Sequence, residues 1–219
     1  MKLSRRDVFK LGGLAAVGAA GLAIPLGNTV NGASASLLPA GKMPKPYQTT
    51  FGRLEVQTPY RTEVDAQGPV AYYDVTAKTG AVGIVPGMLT PVLGYNGMVP
   101  AKRIDVEQGT RIVMTMHNQL PAVHPTFGTP MGISTHLHGS ASLPQYDGYA
   151  SDVTGPGQKK YYQYPNFQAA RTLWYHDHGV HYTAQNAYSG LASQYHLHDP
   201  MERVCSRRAS STSRSPCRT

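Results

Sequence analysis

The chain has 219 residues, of which 41% are hydrophobic, and a formal net charge of +8. This length accommodates one domain or two small ones, and a single β-sandwich core fits within it. The positive charge lies at the two ends, because residues 1–31 carry +3 and residues 203–219 carry +5, whereas residues 32–202 hold eleven basic and eleven acidic residues. The central part of the chain therefore offers no electrostatic basis for binding nucleic acid.

The first 35 residues have the pattern of an export signal. Arg5 and Arg6 precede an apolar stretch, residues 11–24, and small residues at 33–35 offer a cleavage point. The paired arginines resemble a twin-arginine signal, the route that exports folded and often cofactor-loaded proteins. A membrane-anchoring helix is the alternative, but the apolar stretch is short for a bilayer span. We therefore predict an exported protein, periplasmic or extracellular, without stable membrane association.

The rest of the chain has the pattern of strands. Residues 35–59 contain four prolines, and an extended lead-in arm is predicted over 36–70. From 71 to 202, short runs rich in Val, Tyr and Thr alternate with Gly and Pro turns, and no sustained period of 3.6 occurs. This pattern predicts a single all-β sandwich domain. Its predicted strands are 71–77, 104–107, 111–116, 160–164 and 171–176, and residues 183–191 are a candidate short helix.

Two His-x-His pairs, His136 with His138 and His176 with His178, are the most informative feature of this domain. On a strand, side chains alternate between faces, so both imidazoles of a pair point the same way, about 7 Å apart. Four such nitrogens from two strands favour a transition-metal site, since imidazole suits Cu, Zn, Fe and Ni. A single pair is also compatible with surface imidazoles or with a zinc enzyme.

The order and spacing of further motifs resemble the N-terminal cupredoxin domain of multicopper oxidases, closest to the bacterial spore-coat laccase and bilirubin oxidase group. The resemblance covers roughly residues 47–200. It implies a Greek-key, cupredoxin-like β-sandwich. The motifs that carry it are Leu93–Gly97, Pro100, Asn118–Pro121, Thr135–Gly139, Asp147–Tyr149, Tyr164–Asn166, Leu173–Gly179, Tyr188–Ala192 and His198–Pro200.

The resemblance also implies a role for each histidine of the two pairs. By position, His136 would ligate the type 2 copper, and His138, His176 and His178 would ligate the type 3 coppers. In the family this trinuclear copper cluster reduces oxygen to water. Asp147 falls where the resemblance implies a carboxylate that delivers protons to the cluster, and a turn-stabilising role in Asp147-Gly148 is the alternative.

The remaining candidates receive simpler interpretations. His196 and His198 form a third His-x-His pair, but the resemblance implies an ordinary strand there. His117 and His124 are expected to be solvated, and His181 is a candidate neighbour of the ligands. Side chains expected to pack in the core, on a strand face or in a loop are Trp174, the tyrosines, Met88, Met98, Met114 and Met116.

The sequence departs from the family after this domain. The resemblance implies two later cupredoxin domains, with a His-x-x-His-x-His segment and a His-Cys-His segment that supply the type 1 copper and four more cluster histidines. Neither Cys205 nor Cys217 has a neighbouring histidine. The type 1 site is therefore expected to be absent from this chain, with the missing domains as partners. Residues 203–219, rich in Ser and Arg, predict a disordered tail, for which a frameshift is one explanation.

Together these features predict the copper-binding N-terminal domain of a secreted multicopper oxidase, as a fragment or a mis-terminated product. In the complete family, oxygen and a reducing small molecule are the substrates; whether this chain alone is an enzyme stays open. We expect it to bind copper modestly and not to oxidise phenols at the rate of the family. The alternatives are a non-catalytic exported cupredoxin-like protein, an inactive truncated fragment, and a zinc hydrolase. Phenols, bilirubin-like pigments and metal ions such as Cu(I) or Mn(II) remain open as reducing substrates.

Overall fold

The computed structural model describes residues 52–204. The predicted signal, residues 1–35, lies outside the described residues, as do residues 36–51 of the lead-in arm and the tail from Cys205 onward. Within the described part, no helix is long and apolar enough to cross a membrane.

Residues 200–204 are helical, and the other described elements are nine strands, arranged as two sheets, and one short helix. The helix, α1, is Thr183–Ser189, and a single 3₁₀ turn occupies Pro144–Tyr146. The strands are β1 Arg61–Asp65, β2 Gly68–Val85, β3 Met88–Tyr95, β4 Ile104–Glu107, β5 Arg111–Gln119, β6 Thr135–His138, β7 Lys159–Tyr164, β8 Arg171–Asp177 and β9 Ala192–His198.

The two sheets contain both parallel and antiparallel strand pairs. The first sheet has the order β1-β2-β5-β7, with β3 also paired to the long strand β2, and the second has the order β4-β9-β8-β6. Two neighbouring pairs, β2 with β5 and β4 with β9, are parallel, and the other pairs are antiparallel. The parallel pairs join strands that are distant in sequence, which matches the predicted all-β, Greek-key, cupredoxin-like sandwich.

One hydrophobic core fills the space between the sheets. Along most strands, though not along the fully exposed β1, alternate residues point into it; in β8, for example, Leu173 and Tyr175 are buried whereas Thr172 and Trp174 are exposed. Burial of each such side chain contributes about 1.5–3 kcal/mol. The core is rich in tyrosine, and the Tyr195 hydroxyl donates a hydrogen bond of 2.7 Å to Oδ1 of Asn166. The second sheet thus keeps a polar outer face, on which the candidate site lies.

The predicted elements coincide closely with the observed ones. The strand over 104–107 is β4, and the strands over 71–77, 111–116, 160–164 and 171–176 lie within β2, β5, β7 and β8. The candidate helix over 183–191 is present but ends at Ser189. Within the predicted lead-in arm, the structure places β1 and the start of β2, so the sandwich begins earlier along the chain than residue 71.

Candidate metal centre

The two His-x-His pairs lie on neighbouring strands of the second sheet. Strands β6 and β8 are antiparallel, and His136 lies directly opposite His176. Leu137 and Tyr175 alternate with these histidines and are buried in the core, so the imidazoles occupy the outer face. Directly opposed residues in an antiparallel pair share a face and lie close together. The alternation of residues along β6 and β8 therefore places the two histidine pairs next to each other on the same face of the sheet.

The four imidazole rings converge on one region. The ring centroid of His136 lies 5.4 Å from that of His138, 5.5 Å from that of His176 and 5.1 Å from that of His178. His178 follows the end of β8, and its backbone N–H donates a hydrogen bond of 2.7 Å to the Ser134 carbonyl. One ring nitrogen from each of His136, His138 and His176 lies within 4.8 Å of the others. This spacing suits nitrogen ligands that share metal ions.

Hydrogen bonds to the backbone fix the orientation of two of the rings. Nδ1 of His136 bonds to the Asp147 carbonyl oxygen, and Nδ1 of His176 bonds to the Asp177 carbonyl oxygen at 2.8 Å. Because a carbonyl can only accept, Nδ1 of each ring carries the hydrogen, and Nε2 is the unprotonated nitrogen whose lone pair can bind a metal. His138 Nδ1 approaches His176 Nε2 at 3.4 Å.

Two further properties fit this cluster to a metal. Burial lowers the pKa of His176, and the nearby His136, His138 and His178 add to that effect, although the hydrogen bond to Asp177 opposes it. His176 is therefore neutral at pH 7, as a ligand must be. Nδ1 of His178 is buried without a hydrogen-bond partner among the described residues. A buried nitrogen is costly to leave unpaired, and a metal ion is one partner that would satisfy it.

Known proteins match this chain over the stretch that contains these histidines. The sequence profile described as multicopper oxidase matches residues 76–202, more than half of the chain. The chain belongs to the multicopper oxidase family. A bilirubin oxidase of Albifimbria verrucaria is 43% identical over 132 residues, which cover 60% of this chain and 22% of that protein. A laccase of Bacillus subtilis strain 168 is 34% identical over 135 residues, covering 52% and 26% of the two chains.

Solved structures of multicopper oxidases have the same fold. A multi-copper oxidase from Pediococcus acidilactici superposes with a TM-score of 0.63 at 25% identity, over 81% of this chain and 35% of that one. The chain spans about a quarter of the length of the curated relatives named above. The family implies copper, and an all-imidazole ligand set is suited to copper.

The candidate proton-delivering residue, Asp147, lies beside His136. Its carboxylate Oδ1 is 3.4 Å from His136 Nδ1, and its side chain is 43% exposed. Asp147 also belongs to a turn, because it ends the 3₁₀ turn and precedes Gly148, whose φ is +73°. The turn thus brings both the carbonyl and the carboxylate of Asp147 next to His136.

Asp177, between the two histidines of the second pair, holds the surrounding backbone together. It points away from the histidines and is fully buried. Its carboxylate accepts hydrogen bonds from Ser134 N at 2.7 Å, Gly179 N at 3.2 Å and Asn186 Nδ2 at 2.9 Å. Burial raises the pKa of Asp177, and these donors offset that effect only in part. The carboxylate thereby joins the start of β6, the loop after His178 and α1.

Trp174 is a site residue that the sequence pattern did not single out. Expected only to pack on a strand, it lies on the histidine face, 41% exposed, directly opposite His138. Its ring stacks on His176 with centroids 3.8 Å apart and on His138 at 5.4 Å. The signal was present, because Trp174 precedes His176 by two residues and shares its face on a strand.

One expectation about the other histidines was wrong. His124 is not solvated but 5% exposed, because its ring organises the loop between β5 and β6. Its Nδ1 accepts hydrogen bonds from the backbone N–H groups of Thr126 and Phe127, and its Nε2 contacts Ser189 Oγ at 2.9 Å. His117 is partly exposed, 3.3 Å from Asp74, and His181 is exposed in the turn before α1.

Proposed function

We propose that this chain is the copper-binding N-terminal domain of an exported, laccase-like multicopper oxidase. In this proposal His136 is a type 2 copper ligand, and His138, His176 and His178 are type 3 ligands. They supply half of the trinuclear ligand set, and further cupredoxin domains supply the other half and the type 1 copper. The observation that carries the proposal is the convergence of four imidazoles on the outer face of the second sheet, two of them with Nδ1 bonded to a backbone carbonyl and Nε2 unprotonated.

Copper, when bound, supplies the one-electron chemistry that couples oxidation of a substrate to reduction of oxygen to water. The residues of this chain hold the ligand nitrogens in position. The Asp147 carbonyl fixes the tautomer of His136, and the Asp147 carboxylate, with Oδ1 3.4 Å from His136 Nδ1, is the proposed proton-delivering group. Trp174 covers one side of His176 and His138, which limits the access of water to these rings. The reducing substrate is a phenol, a bilirubin-like pigment or a metal ion.

Copper titration tests this proposal. The full chain, stripped of metal, is titrated with Cu²⁺ by calorimetry, and the bound ion is examined by electron paramagnetic resonance for nitrogen coordination. His176→Ala is expected to weaken Cu²⁺ binding at the cluster at least about tenfold, because it removes the most buried ligand. The matched control is His117→Ala, which also removes a strand histidine but lies on the other sheet.

Two outcomes contradict the proposal. If the wild-type chain does not bind Cu²⁺, the non-catalytic cupredoxin-like alternative gains support. If His176→Ala and His117→Ala bind Cu²⁺ as the wild type does, the bound copper lies elsewhere. Circular dichroism of each variant establishes that the sandwich has folded.

A further inference from the structure

A second group of metal-ligating side chains lies on the same sheet face, away from the β6–β8 histidines. Strand β9 is parallel to β4, with Asp105 opposite His196. Tyr195 and Leu197 are buried in the core, so His196 and His198 project outward. His196 also lies opposite Thr172 of β8, four residues from His176, or about 13 Å along the strand. That separation is too large for the two groups to share one ion.

The side chains of this second group are close enough to hold one ion. One ligand atom from each of Asp105, His196 and His198 lies within 4.8 Å of the others. Nδ1 of His196 is 3.7 Å from Oδ1 of Asp105. Two ligands at about 2.0–2.2 Å from a tetrahedral ion stand about 3.3–3.6 Å apart, so a small adjustment suffices. Each of the three side chains is about a quarter exposed, at 26%, 28% and 27%, which leaves a path for an ion.

The hydrogen bonds of the two imidazoles leave ligand nitrogens free. His196 Nε2 contacts the Gln194 amide oxygen at 3.1 Å, so Nε2 carries the hydrogen and the Nδ1 lone pair faces Asp105. His198 Nδ1 lies 2.8 Å from Oε2 of Glu202, which leaves the His198 Nε2 lone pair free. A histidine bonded to a carboxylate through its other nitrogen is the usual arrangement at metal sites.

Asp105 has a competing partner. Arg103 donates hydrogen bonds to Oδ1 and Oδ2 of Asp105, at 2.8 Å and 3.0 Å. Burial raises the pKa of Asp105, but Arg103 and the two histidines lower it more, so the group is ionised at neutral pH. An ionised carboxylate has about four lone-pair sites, so Oδ1 can bind a cation while Arg103 stays in place. The ion pair between Asp105 and Arg103 does not involve the free nitrogens of His196 and His198, which therefore stay available to a metal ion.

We propose that Asp105, His196 and His198 form a second binding site for a divalent transition-metal ion of the Zn²⁺ or Cu²⁺ class. Glu202 orients His198 within it. The site is independent of the trinuclear ligand set, and it does not require the rest of an oxidase. Binding occurs at the surface of a strand pair that is fixed by backbone hydrogen bonds, so little of the protein needs to rearrange.

Zinc titration of the full chain tests this site in a background that lacks other strong ligands. The background carries His138→Ala and His176→Ala to disable the first cluster, and Cys205→Ser and Cys217→Ser because thiolates bind Zn²⁺. Calorimetry is expected to show one Zn²⁺ per chain. Adding His196→Ala and His198→Ala to this background is expected to weaken the affinity for Zn²⁺ at least about tenfold. His117→Ala, which removes a histidine paired with a single aspartate, is the matched control and should leave the affinity unchanged.

The outcomes separate this site from the proposed function. Absence of Zn²⁺ binding in the background, or equal binding after removal of His196 and His198, overturns the second site while leaving the copper titration of the first cluster unaffected. If the alanine variant does not fold, His196→Gln with His198→Gln retains hydrogen bonding and replaces it. Visible absorption of bound Co²⁺ provides an independent measurement, since tetrahedral coordination by His196, His198 and Asp105 gives intense bands that the glutamine variant should lose.

Discussion

Trp174 connects the candidate copper site to a measurable signal, because it is the only tryptophan in the chain. Its ring lies against His176 and His138, both proposed ligands. The Asp147 carbonyl fixes the tautomer of His136, and the Asp177 carboxylate holds the backbone around His176 and His178 by hydrogen bonds to Ser134 and Gly179. At the scale of single residues, the ligands are thus held by side chains and carbonyls that contact them directly or contact their backbone.

Copper bound to the first cluster should quench the fluorescence of Trp174. The indole stacks on His176 with ring centroids 3.8 Å apart, so a paramagnetic ion bound to His176 would lie close enough to quench the excited ring. We expect most of the tryptophan emission to be lost at one or a few equivalents of Cu²⁺. His176→Ala should shift the quenching to at least about tenfold higher Cu²⁺, whereas His196→Ala should not. Unchanged emission at saturating Cu²⁺ would place the ion away from Trp174.

At the scale of elements, the loop from β6 to β7 determines where His136 points. The turn ending at Asp147 folds back over β6, and Gly148 lies directly against the backbone of Thr135 and His136. A β-carbon at Gly148 would overlap the Thr135 carbonyl and come within 2.6 Å of His136 Cα. Close approach of two backbones explains the glycine here, and its φ of +73° adds a second requirement.

Gly148→Ala is therefore expected to destabilise the domain and to displace His136. The matched control is Gly157→Ala, where φ is +82° but no atom lies within 4 Å of the added carbon. The control should lose about 1–2 kcal/mol of unfolding free energy from the left-handed backbone alone. Gly148→Ala should lose at least about 2 kcal/mol more, since backbone atoms must move. Urea unfolding measures both, and equal losses would show that the close approach is unimportant.

At the scale of the whole molecule, a buried histidine couples stability to pH. His124 joins the β5–β6 loop to α1 through Ser189, and burial lowers its pKa. In the unfolded chain a histidine has a pKa of about 6.5, so below that pH the unfolded chain binds a proton at His124. The folded state binds this proton less readily, and protonation therefore favours unfolding. The stabilisation by neutral His124 is therefore fully present above the histidine pKa of the unfolded chain. It is lost as the pH falls toward the lowered pKa of the folded state.

The variant His124→Asn should weaken this pH dependence. An asparagine oxygen can accept the backbone N–H bonds that Nδ1 now accepts, but it does not titrate. Between about pH 7.5 and pH 5.5, the melting temperature of the wild type should fall further than that of the variant. His117→Asn, at a partly exposed histidine, serves as the control and should follow the wild type. If the melting temperatures of all three proteins fall equally with pH, His124 is not the cause of the pH dependence.

The sequence by itself predicted five of the nine strands, the β-sandwich and the pairing of histidines within each His-x-His motif, because period-two alternation is a local property of the chain. It also predicted copper through its resemblance to a family that the profile match establishes. Trp174 could have been found by the same alternation, since it shares a strand face with His176.

Only the tertiary structure decided which distant residues meet. The pairing of β6 with β8 brings His136 opposite His176, and the parallel pairing of β4 with β9 brings Asp105 to His196. The burial of His124 likewise depends on α1, which lies far along the chain. Such contacts depend on strand order and register, which are set by packing of the whole core, so no local pattern in the sequence specifies them.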